Sequence, residues 1–450
     1  RCSDASLLPL SDRESLWRER LRAAGSVSGW VRVYRQAARD CEARTWRERR
    51  ALLGLMLGQA GTVQRMIELY RAMSSWSARR YLRAAILRRV RTPADLRAVR
   101  DAFGVSSAVD WALVEQVLGR ARSERERIRL LRELSDQNPG SFELKLRLLA
   151  ALEGAGREAE ARRLAHQLRT DPLADAGVRT AVGEMYLRMS DEPEARRVFS
   201  EIVEFAPYDA LARRRLGDLY RAHGWFEDAY RQYQTLSVIR PDDPAVSLLL
   251  AQAAAGAGRV DEALRLEQRL METAEPGASS GLSRVALLWS SVRLCKLRMA
   301  AREAGDSERL SALGGRMRRS GVLREAGAMR VSLTWSHPDA GLSLWVAHPG
   351  LQLTRPTDIA PEYGIEAFEV EEAEGGRYRV EVRRAGRDRD LRTPVEAELV
   401  VVWAEGQADE RIQVVRLRLE GSEQRARAWT IEGREVAEAE ASREGARGAR

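Results

Sequence analysis

The residues that could carry out catalysis or bind a metal are few in this chain of 450 residues. They are four histidines and three cysteines: His166, His223, His337, His348, Cys2, Cys41 and Cys295. His337 and His348 could converge on one edge of a sheet, but two imidazoles without a third ligand make a weak zinc site. The cysteines are scattered and odd in number, which does not fit a disulfide framework or a metal site. We interpret them as buried or incidental thiols.

His223 has a structural interpretation, because it precedes Gly224 at a predicted turn between two helices, where such a residue commonly ends a helix. The chain also lacks the phosphate-binding glycine loop and the His-Glu-x-x-His pattern of zinc peptidases. Its carboxylates alternate with arginines on predicted helix faces, which is typical of a solvated surface. The sequence therefore predicts a protein that is not an enzyme and has no catalytic residue, metal or cofactor.

The chain is basic, with a net charge of +9, and its only lysines are Lys145 and Lys296. The first 100 residues carry 22 arginines and 9 acidic residues. One arginine cluster there has Asp95 as its single acidic neighbour and consists of Arg79, Arg80, Arg83, Arg88, Arg89, Arg91, Arg97 and Arg100. Such a cluster is typical of a surface for an anionic partner, nucleic acid or lipid, or of a solvated helix face. Because no nucleic-acid motif accompanies it, we expect no nucleic-acid partner.

No segment of the sequence predicts a membrane span. The longest strongly apolar stretch, residues 51–60, is about half as long as a transmembrane helix needs to be. The chain begins with Arg1 and shows no succession of charged, apolar and small residues typical of a signal peptide. We expect it to be one part of a longer polypeptide.

A repeat of 34 residues organises the middle of the chain. Gly183, Tyr186, Ala195, Phe199 and Pro207 recur as Gly217, Tyr220, Ala229, Tyr233 and Pro241. Glycine and alanine suit positions where two helices cross closely, and the aromatic residues fill the space between the helices. Proline ends the second helix, because it forces the preceding residue out of helical geometry. The spacing therefore predicts stacked two-helix repeats that together bury a continuous core.

The predicted organisation of the helical part has three regions. Residues 1–106 are expected to form degenerate helical hairpins, with Thr92 as the cap of a helix that Pro93 begins. Residues 107–276 hold the repeats, and residues 277–326 form two further helices that cap the array. The prediction for this part is an α-solenoid.

After Gly327 the hydrophobic period changes from 3.6 residues to 2, which indicates β-strands. Strands are predicted at 329–335, 342–346, 378–382, 395–403, 412–419 and 426–431. Seven or eight short strands with regular turn signals predict an antiparallel, immunoglobulin-like β-sandwich over residues 328–431. Residues 432–450 contain almost no core-forming side chains, and we expect them to be disordered.

The helical part resembles the tetratricopeptide superfamily, most clearly over residues 141–276. The motif Leu-Gly-x-x-Tyr at 216–220 carries the resemblance, together with Ala229, Tyr233 and Pro241. It implies a surface that holds a protein or peptide partner on the first helix of each repeat. The inward positions are Thr180, Glu184, Arg214, Asp218, Arg221, Leu248 and Gln252. The Asn and Lys pair of carboxylate-clamping members is missing, so we do not expect capture of a chaperone-type C-terminal tail.

The β part resembles the YfaP-type domain of bacterial envelope proteins over 329–350, 375–384 and 393–403. That family shows Trp-Asp, Asp-Leu-Asp-Leu and Asp-Pro, whereas Ser336, the run 341–346 and His348-Pro349 stand in those places here. We therefore predict no metal in that loop. The order of helical and β parts also resembles the C-terminal half of bacterial proteins that carry inter-alpha-trypsin-inhibitor and von Willebrand factor A modules. This implies an envelope or extracytoplasmic location.

These patterns favour a non-catalytic protein-interaction scaffold within a larger bacterial cell-envelope protein or complex. Two alternatives remain open. The sandwich could bind a carbohydrate or surface ligand if Trp345 or Trp403 were exposed on an outer sheet face, with the helices as a spacer. The basic N-terminal helices could instead bind an anionic partner, nucleic acid or lipid, through residues such as Arg88 and Arg89.

Overall fold

The structure is a computed structural model. It describes residues 4–104, 106–204, 207–272, 280–323, 327–337, 340–349, 351–354, 358–373, 376–384, 395–419 and 427–439. These residues form two compact units, one made of residues 1–198 and one made of residues 199–450. The units are described separately below.

The first unit is helical throughout its described part. After a short 3-10 turn at Asp4–Leu7, its helices are α1 Leu10–Ala24, α2 Val27–Arg39, α3 Trp46–Ala60, α4 Val63–Ala72, α5 Trp76–Leu87, α6 Pro93–Phe103, α7 Ser107–Leu118, α8 Glu124–Gln137, α9 Phe142–Gly154, α10 Glu158–Thr170 and α11 Ala176–Arg188. Helix α12, Glu192–Glu204, runs across the boundary between the units.

The caps of these helices follow from local side-chain chemistry. Thr92 accepts a hydrogen bond from the Asp95 amide at 3.1 Å while Asp95 accepts from the Thr92 amide, and Pro93 opens the helix, as the sequence predicts. Thr45 and Glu48 form the same reciprocal pair at the start of α3. Each pair satisfies two of the backbone N–H groups that a helix start leaves unpaired.

The second unit begins with helical hairpins and ends with two sheets. Its helices after α12 are α13 Ala210–Ala222, α14 Phe226–Ile239, α15 Pro244–Gly256, α16 Val260–Glu272, α17 Ser280–Glu303 and α18 Ser307–Ser320. The chain thus has helical hairpins followed by antiparallel β structure, as predicted from the sequence. His223 is the C-cap of α13, and Gly224 follows with a positive φ of 72°, which also matches the prediction.

Close helix packing explains the glycine and aromatic positions of the repeat. A Cβ atom on Gly217 would lie 2.6 Å from Cε1 of Tyr233, and Tyr233 is fully buried. A Cβ atom on Gly256 would likewise clash with the ring of Phe226. In both cases the ring occupies the space that a side chain would need.

Arginines of one hairpin pair with carboxylates about one repeat away. In the first unit these pairs are Arg147–Glu115, Arg132–Glu160, Arg162–Asp191 and Arg188–Glu153. In the second unit Arg259 pairs with Glu227 across the α14–α16 hairpins. Many of the arginines that make the chain basic therefore serve contacts within each unit.

Two antiparallel sheets follow α18. Their strands are β1 Met329–Trp335, β2 Leu342–Ala347, β3 Asp358–Ala360, β4 Ile365–Val370, β5 Arg377–Arg384, β6 Val395–Trp403, β7 Arg411–Leu419, β8 Arg427–Glu432 and β9 Glu435–Ala439. One sheet has the order β3-β4-β1-β6-β7 and the other has the order β2-β5-β8-β9. A 3-10 turn at Pro361–Tyr363 connects β3 to β4.

The two sheets share one core. Val331 and Leu333 of β1 and Leu399 of β6 pack in the same cluster as Leu344 of β2 and Val380 of β5. Side chains from both sheets thus bury each other, which is the arrangement of a β-sandwich. Strand β1 is buried along its whole length, because its other face carries Arg330, Ser332 and Thr334, which are also buried.

The structure differs from the sequence prediction at two places in the β part. Strands β3 and β4 were not predicted, although β4 pairs with β1 from Ile365 to Val370. The segment predicted to be disordered from residue 432 contains β9, which follows a turn at Gly433 with a φ of 60°. The backbone of Val436 on β9 bonds to the side chain of Gln413, and this contact fixes the strand. Residues 440–450 lie outside the described part.

Candidate functional site

Two of the predicted groove residues, Thr180 and Glu184, lie on α11 in the first unit. They are one helical turn apart and both are half-buried, so they share a helix face. The hydroxyl of Thr180 donates to the Ala176 carbonyl at 2.7 Å. Helix α11 is capped by Asp175, whose carboxylate accepts from the Val178 amide.

Three further groove residues, Arg214, Asp218 and Arg221, lie on α13 in the second unit. The carboxylate of Asp218 is 3.7 Å from both guanidinium groups. It also accepts a hydrogen bond of 2.6 Å from the hydroxyl of Tyr233, whose pKa burial raises well above its usual value. Arg214 keeps a partly exposed side chain, whereas Arg221 is 3% exposed.

The last two groove residues, Leu248 and Gln252, are on α15 and are buried. Gln252 is hydrogen-bonded to the guanidinium of Arg221, and its Nε2 donates to the backbone carbonyl of Tyr363 at 2.8 Å. The indole Nε1 of Trp289 on α17 donates to the same carbonyl at 3.2 Å. Leu248 and Gln252 are therefore not on an open surface, and Gln252 is hydrogen-bonded to the turn before β4.

Helix α17 carries a set of contacts to the sandwich that sequence reasoning missed. Arg284 pairs with Glu369 at 2.7 Å, Lys296 with Glu398 at 2.6 Å, and Arg298 with Glu410 at 2.8 Å. The signal was present in the sequence, since polar residues recur along an otherwise apolar helix. We interpreted the helix only as a cap, because nothing local tells which surface a polar helix stripe faces.

One ion pair below α17 is almost inaccessible to solvent. The guanidinium of Arg330 on β1 donates to Glu405 at 2.5 Å, and both side chains are 2% exposed. The hydroxyl of Ser291 and the thiol of Cys295 on α17 also donate to Glu405. Burial alone would lower the pKa of Arg330, but the Glu405 carboxylate raises it, so Arg330 stays charged.

These buried groups do not have the character of a catalytic centre. Burial raises the pKa of the Cys295 thiol well above its usual value, and Glu405 beside it raises that pKa further, so the thiol stays protonated. The letters of a Gly-x-Ser-x-Gly motif occur at 277–281, but of these residues the structure describes only Ser280 and Gly281, which belong to α17. Residues 273–279 lie outside the described part.

The two histidines that could have converged follow different strands, His337 after β1 and His348 after β2. His348 packs against the rings of Phe368 and Tyr378, at centroid distances of 5.1 Å and 5.6 Å. His337 is buried directly after β1. Within the described residues, no group of three histidine, cysteine or acidic side chains is placed to hold a metal ion.

One cysteine differs from the expectation that all three are buried or incidental thiols. Cys41 is disulfide-bonded, and Cys295 is a free buried thiol. Cys2 lies outside the described part. The spacing of the cysteines did not indicate a disulfide, since a single bond between distant positions leaves no pattern in the sequence.

The tryptophans that would have favoured a carbohydrate site lie on different faces. Trp403 is 4% exposed and belongs to the sandwich core. Trp345 is partly exposed, and the guanidinium of Arg383 lies over its ring at 4.5 Å from the centroid. The core position of Trp403 counts against a sugar-stacking role for it.

The arginine cluster of the first unit is partly engaged with its own helices. Arg79, Arg80 and Arg83 lie over the rings of Tyr70, Trp76 and Phe103, respectively. Arg100 pairs with Asp110 at 2.5 Å. The exposed arginines of the cluster are Arg79, Arg80, Arg83, Arg88, Arg91 and Arg97. Among the described helices, none is long and apolar enough to cross a membrane.

A cleft of about 540 Å³ lies in the second unit between the helices and the sandwich. The helices contribute Phe226, Trp289 and Lys296, and the strands contribute Trp335 and Glu398. Its volume is within the range of small-molecule sites.

In comparisons with known proteins, the helical part of the chain is similar to several solved structures. No protein-family model matches the chain, and no curated protein matches it. The crystal structure of MamA protein is 18% identical, with a TM-score of 0.26, and the match covers 36% of this chain and 90% of that one.

Two further solved structures have comparable scores. A tetratricopeptide repeat protein from Parabacteroides merdae is 14% identical over 59% of this chain and all of that one (100%), with a TM-score of 0.26. YrrB, described as a TPR protein with an unusual peptide-binding site, is 10% identical over 39% of this chain and 91% of that one, with a TM-score of 0.26. Similarity at this level carries no functional argument, and the repeat architecture rests on the packed hairpins themselves.

Proposed function

We propose that the protein is a non-catalytic scaffold whose helical hairpins hold a protein or peptide partner. The observation that supports this most is the double hydrogen bond to the carbonyl of Tyr363. Gln252 and Trp289 there hold a turn of polypeptide by its backbone. A helical face that binds backbone groups within its own chain has the chemistry needed to bind an extended segment of another chain.

We propose a partner surface in each unit, made of the predicted groove residues that stay accessible. In the first unit these are Thr180 and Glu184 on α11, and in the second unit they are Arg214 and Asp218 on α13. All four side chains are at least partly exposed. Mixed charge suits a polar or weakly charged segment, because each guanidinium and carboxylate can find a counterpart on it. In this proposal Arg221, Leu248 and Gln252 are buried residues that support the surface of the second unit and do not contact the partner.

We further propose a location in the cell envelope or outside the cytoplasm. The disulfide at Cys41 supports this, because disulfides persist in oxidising compartments and are rare in the cytosol. The resemblance of the β part to envelope domains points the same way. We also propose that the regions of the helical part end at residues 106, 276 and 326. The chain is, in this proposal, one part of a larger modular protein.

The test is recovery of partners by the full-length protein from cells of its source. Arg214→Glu reverses a charge on the proposed surface, and Arg231→Glu on α14 is a matched control. Each of these arginines has an aspartate on its own helix, at 3.7 Å for Arg214 and 3.5 Å for Arg231. We expect Arg214→Glu to reduce recovery of a specific partner about tenfold, a loss typical of one charged contact at an interface, and Arg231→Glu to leave recovery unchanged. Equal recovery by both variants would contradict the proposed surface.

A further inference from the structure

The cleft between the helices and the sandwich has one apolar wall on each side. Phe226 and Trp289 face it from α14 and α17, and Trp335 faces it from the end of β1. The guanidinium of Arg293 lies 4.7 Å from the centre of the Trp289 ring and restricts that ring. Aromatic side chains on two opposed elements form a site for a flat apolar group.

Two residues that line this cleft carry buried N–H donors. The Nε1–H of Trp335 and the Nε–H of Arg221 are buried and have no acceptor among the described residues. Trp335 is 4% exposed, so bulk water does not satisfy its donor either. A buried donor without a partner is unfavourable, so an acceptor that reached it would be stabilised there.

The side chains that line the cleft carry more positive than negative charge. Lys296 and Arg416 both approach one carboxylate, Glu398, at 2.6 Å and 3.8 Å. The other lining carboxylate, Glu396, is 3.7 Å from Arg418. One positive charge of the Lys296, Arg416 and Glu398 group is therefore not compensated within the group, and an anion placed beside it would be attracted.

We propose that this cleft binds a small organic acid with one carboxylate on an aromatic or similarly flat apolar body. The carboxylate lies toward Lys296 and Arg416, and the body packs against Trp289 and Trp335. The volume of about 540 Å³ fits a molecule of that size. This site is separate from the proposed partner surface, and it stands or fails independently of the scaffold function.

Isothermal titration calorimetry of the full chain with 2-naphthoate tests the proposal, with 2-naphthamide as the uncharged probe of the same shape. We expect naphthoate to bind about tenfold more tightly than the amide, because the carboxylate adds a charge-assisted hydrogen bond. Lys296→Gln should weaken naphthoate about tenfold and leave the amide unchanged. Equal affinity for acid and amide, or no binding of either, would overturn the proposal.

Two tryptophan variants separate binding from folding. Trp335 and Trp403 are each 4% exposed core residues of the same sheet, and each has an unpaired indole N–H among the described residues, but only Trp335 lines the cleft. Trp335→Phe should weaken naphthoate severalfold, whereas Trp403→Phe should not change its affinity. An equal loss in both variants would mean that the effect is structural and would contradict the site.

A further titration with a peptide tests whether the acid is a small molecule. The tripeptide Ala-Ala-Trp with an acetylated N-terminus presents a bicyclic aromatic ring of similar size and a carboxylate at the end of a chain. We expect it to bind at least fivefold more weakly than naphthoate, because the cleft has room for a drug-sized body. Tighter binding of the peptide would overturn the small-acid assignment and identify a protein C-terminus as the ligand.

Discussion

At the scale of single residues, the repeat is defined by contacts that leave no space. Tyr233 is held by its hydroxyl, which donates to Asp218 at 2.6 Å, so its ring cannot rotate away from α13 without losing that bond. Gly217 is the position opposite the ring. The small residue and the aromatic residue of the repeat thus form one contact, which explains why the two recur together.

Gly217→Ala is expected to destabilise the second unit by about 1–3 kcal/mol, the usual cost of overpacking a core. The added methyl would lie 2.6 Å from Tyr233, so the helices must separate or the ring must leave its hydrogen bond. Urea unfolding followed by circular dichroism measures the change.

Gly315→Ala on α18 is the matched control for Gly217→Ala. Its Cβ would meet only arginine side-chain ends, at 3.6 Å and 3.9 Å. Alanine favours a helix interior over glycine by about 0.5–1 kcal/mol, so this variant should be neutral or more stable. A similar loss of stability in both variants would show that the Gly217 contact is not special.

The cap of α3 makes a pH-dependent contribution in the first unit. Partial burial alone would raise the pKa of Glu48, but bonds from the Thr45 amide, at 2.7 Å, and from Arg13, at 2.9 Å, hold that pKa below its usual value. The unfolded chain therefore binds this proton more readily than the folded chain does. The contribution of Glu48 is present above pH 4.5 and is lost as the pH falls through its folded pKa.

Glu48→Gln should reduce the loss of stability between pH 7 and pH 3.5 by roughly 0.5–1 kcal/mol relative to the wild type. Urea unfolding at both pH values measures the difference. Glu68→Gln on α4 removes an exposed carboxylate and should leave the pH dependence as it is in the wild type. If Glu48→Gln lost as much stability on acidification as the wild type, the Glu48 contacts would not be its source.

At the scale of elements, α17 is the helix that joins the hairpins to the sandwich. Its Trp289 and the neighbouring Gln252 of α15 donate to the same carbonyl, that of Tyr363, which is 9% exposed. A buried carbonyl that loses both donors is left without its hydrogen bonds, at a cost of about 1–3 kcal/mol. The turn between β3 and β4 thus depends on residues more than 70 positions away.

Gln252→Ala combined with Trp289→Phe should increase amide hydrogen exchange in β4, and most strongly next to Tyr363, by about tenfold or more. Mass spectrometry of peptic peptides measures this exchange. Gln268→Ala on α16 is the control, since its side chain bonds only locally to Glu272, at 2.8 Å. Unchanged exchange in the double variant would show that the two donors do not hold the turn.

The sequence predicted elements well and their contacts poorly, for identifiable physical reasons. The helices, the cap at Thr92 and the packing of Gly217 leave local signals, because each depends on residues within one repeat. Strand β4 has mixed polarity, since its residues are buried in part by α17 rather than by the opposite sheet. The burial of Gln252 depends on Tyr363, 111 positions later, and no local pattern records such a contact.

The candidate sites were likewise predictable where they depend on local pattern and not predictable where they depend on distant contacts. Sequence periodicity predicted helices at Thr180, Glu184 and Arg214, and the resemblance to tetratricopeptide repeats predicted that these residues lie on inward faces. It could not place Trp335 and Lys296 in one cleft, because the first reads as a strand residue and the second as part of a polar stripe. The disulfide at Cys41 was also not predictable from spacing.

At the scale of the whole molecule, the second unit joins helices and sheets through a buried ionic centre. Arg330 of β1, Glu405 after β6 and Ser291 of α17 meet there, and each is at most 2% exposed. Such a centre tolerates loss of both charges better than loss of one, because a single remaining charge is left buried without compensation. Helices and sandwich should therefore lose stability together when this centre is broken.

Arg330→Met should destabilise the second unit by about 3–5 kcal/mol, because it leaves Glu405 buried with only neutral donors. Adding Glu405→Leu should recover most of that loss, since a methionine and leucine pair needs no hydrogen bonds in an apolar environment. Hydrogen exchange of peptides from α15, α17, β1 and β6 measures both variants, and we expect α17 and β1 to lose protection to the same extent in Arg330→Met. Loss of protection confined to the sheets would mean that the helices fold without the sandwich, and residues 199–450 would then not behave as one cooperative unit.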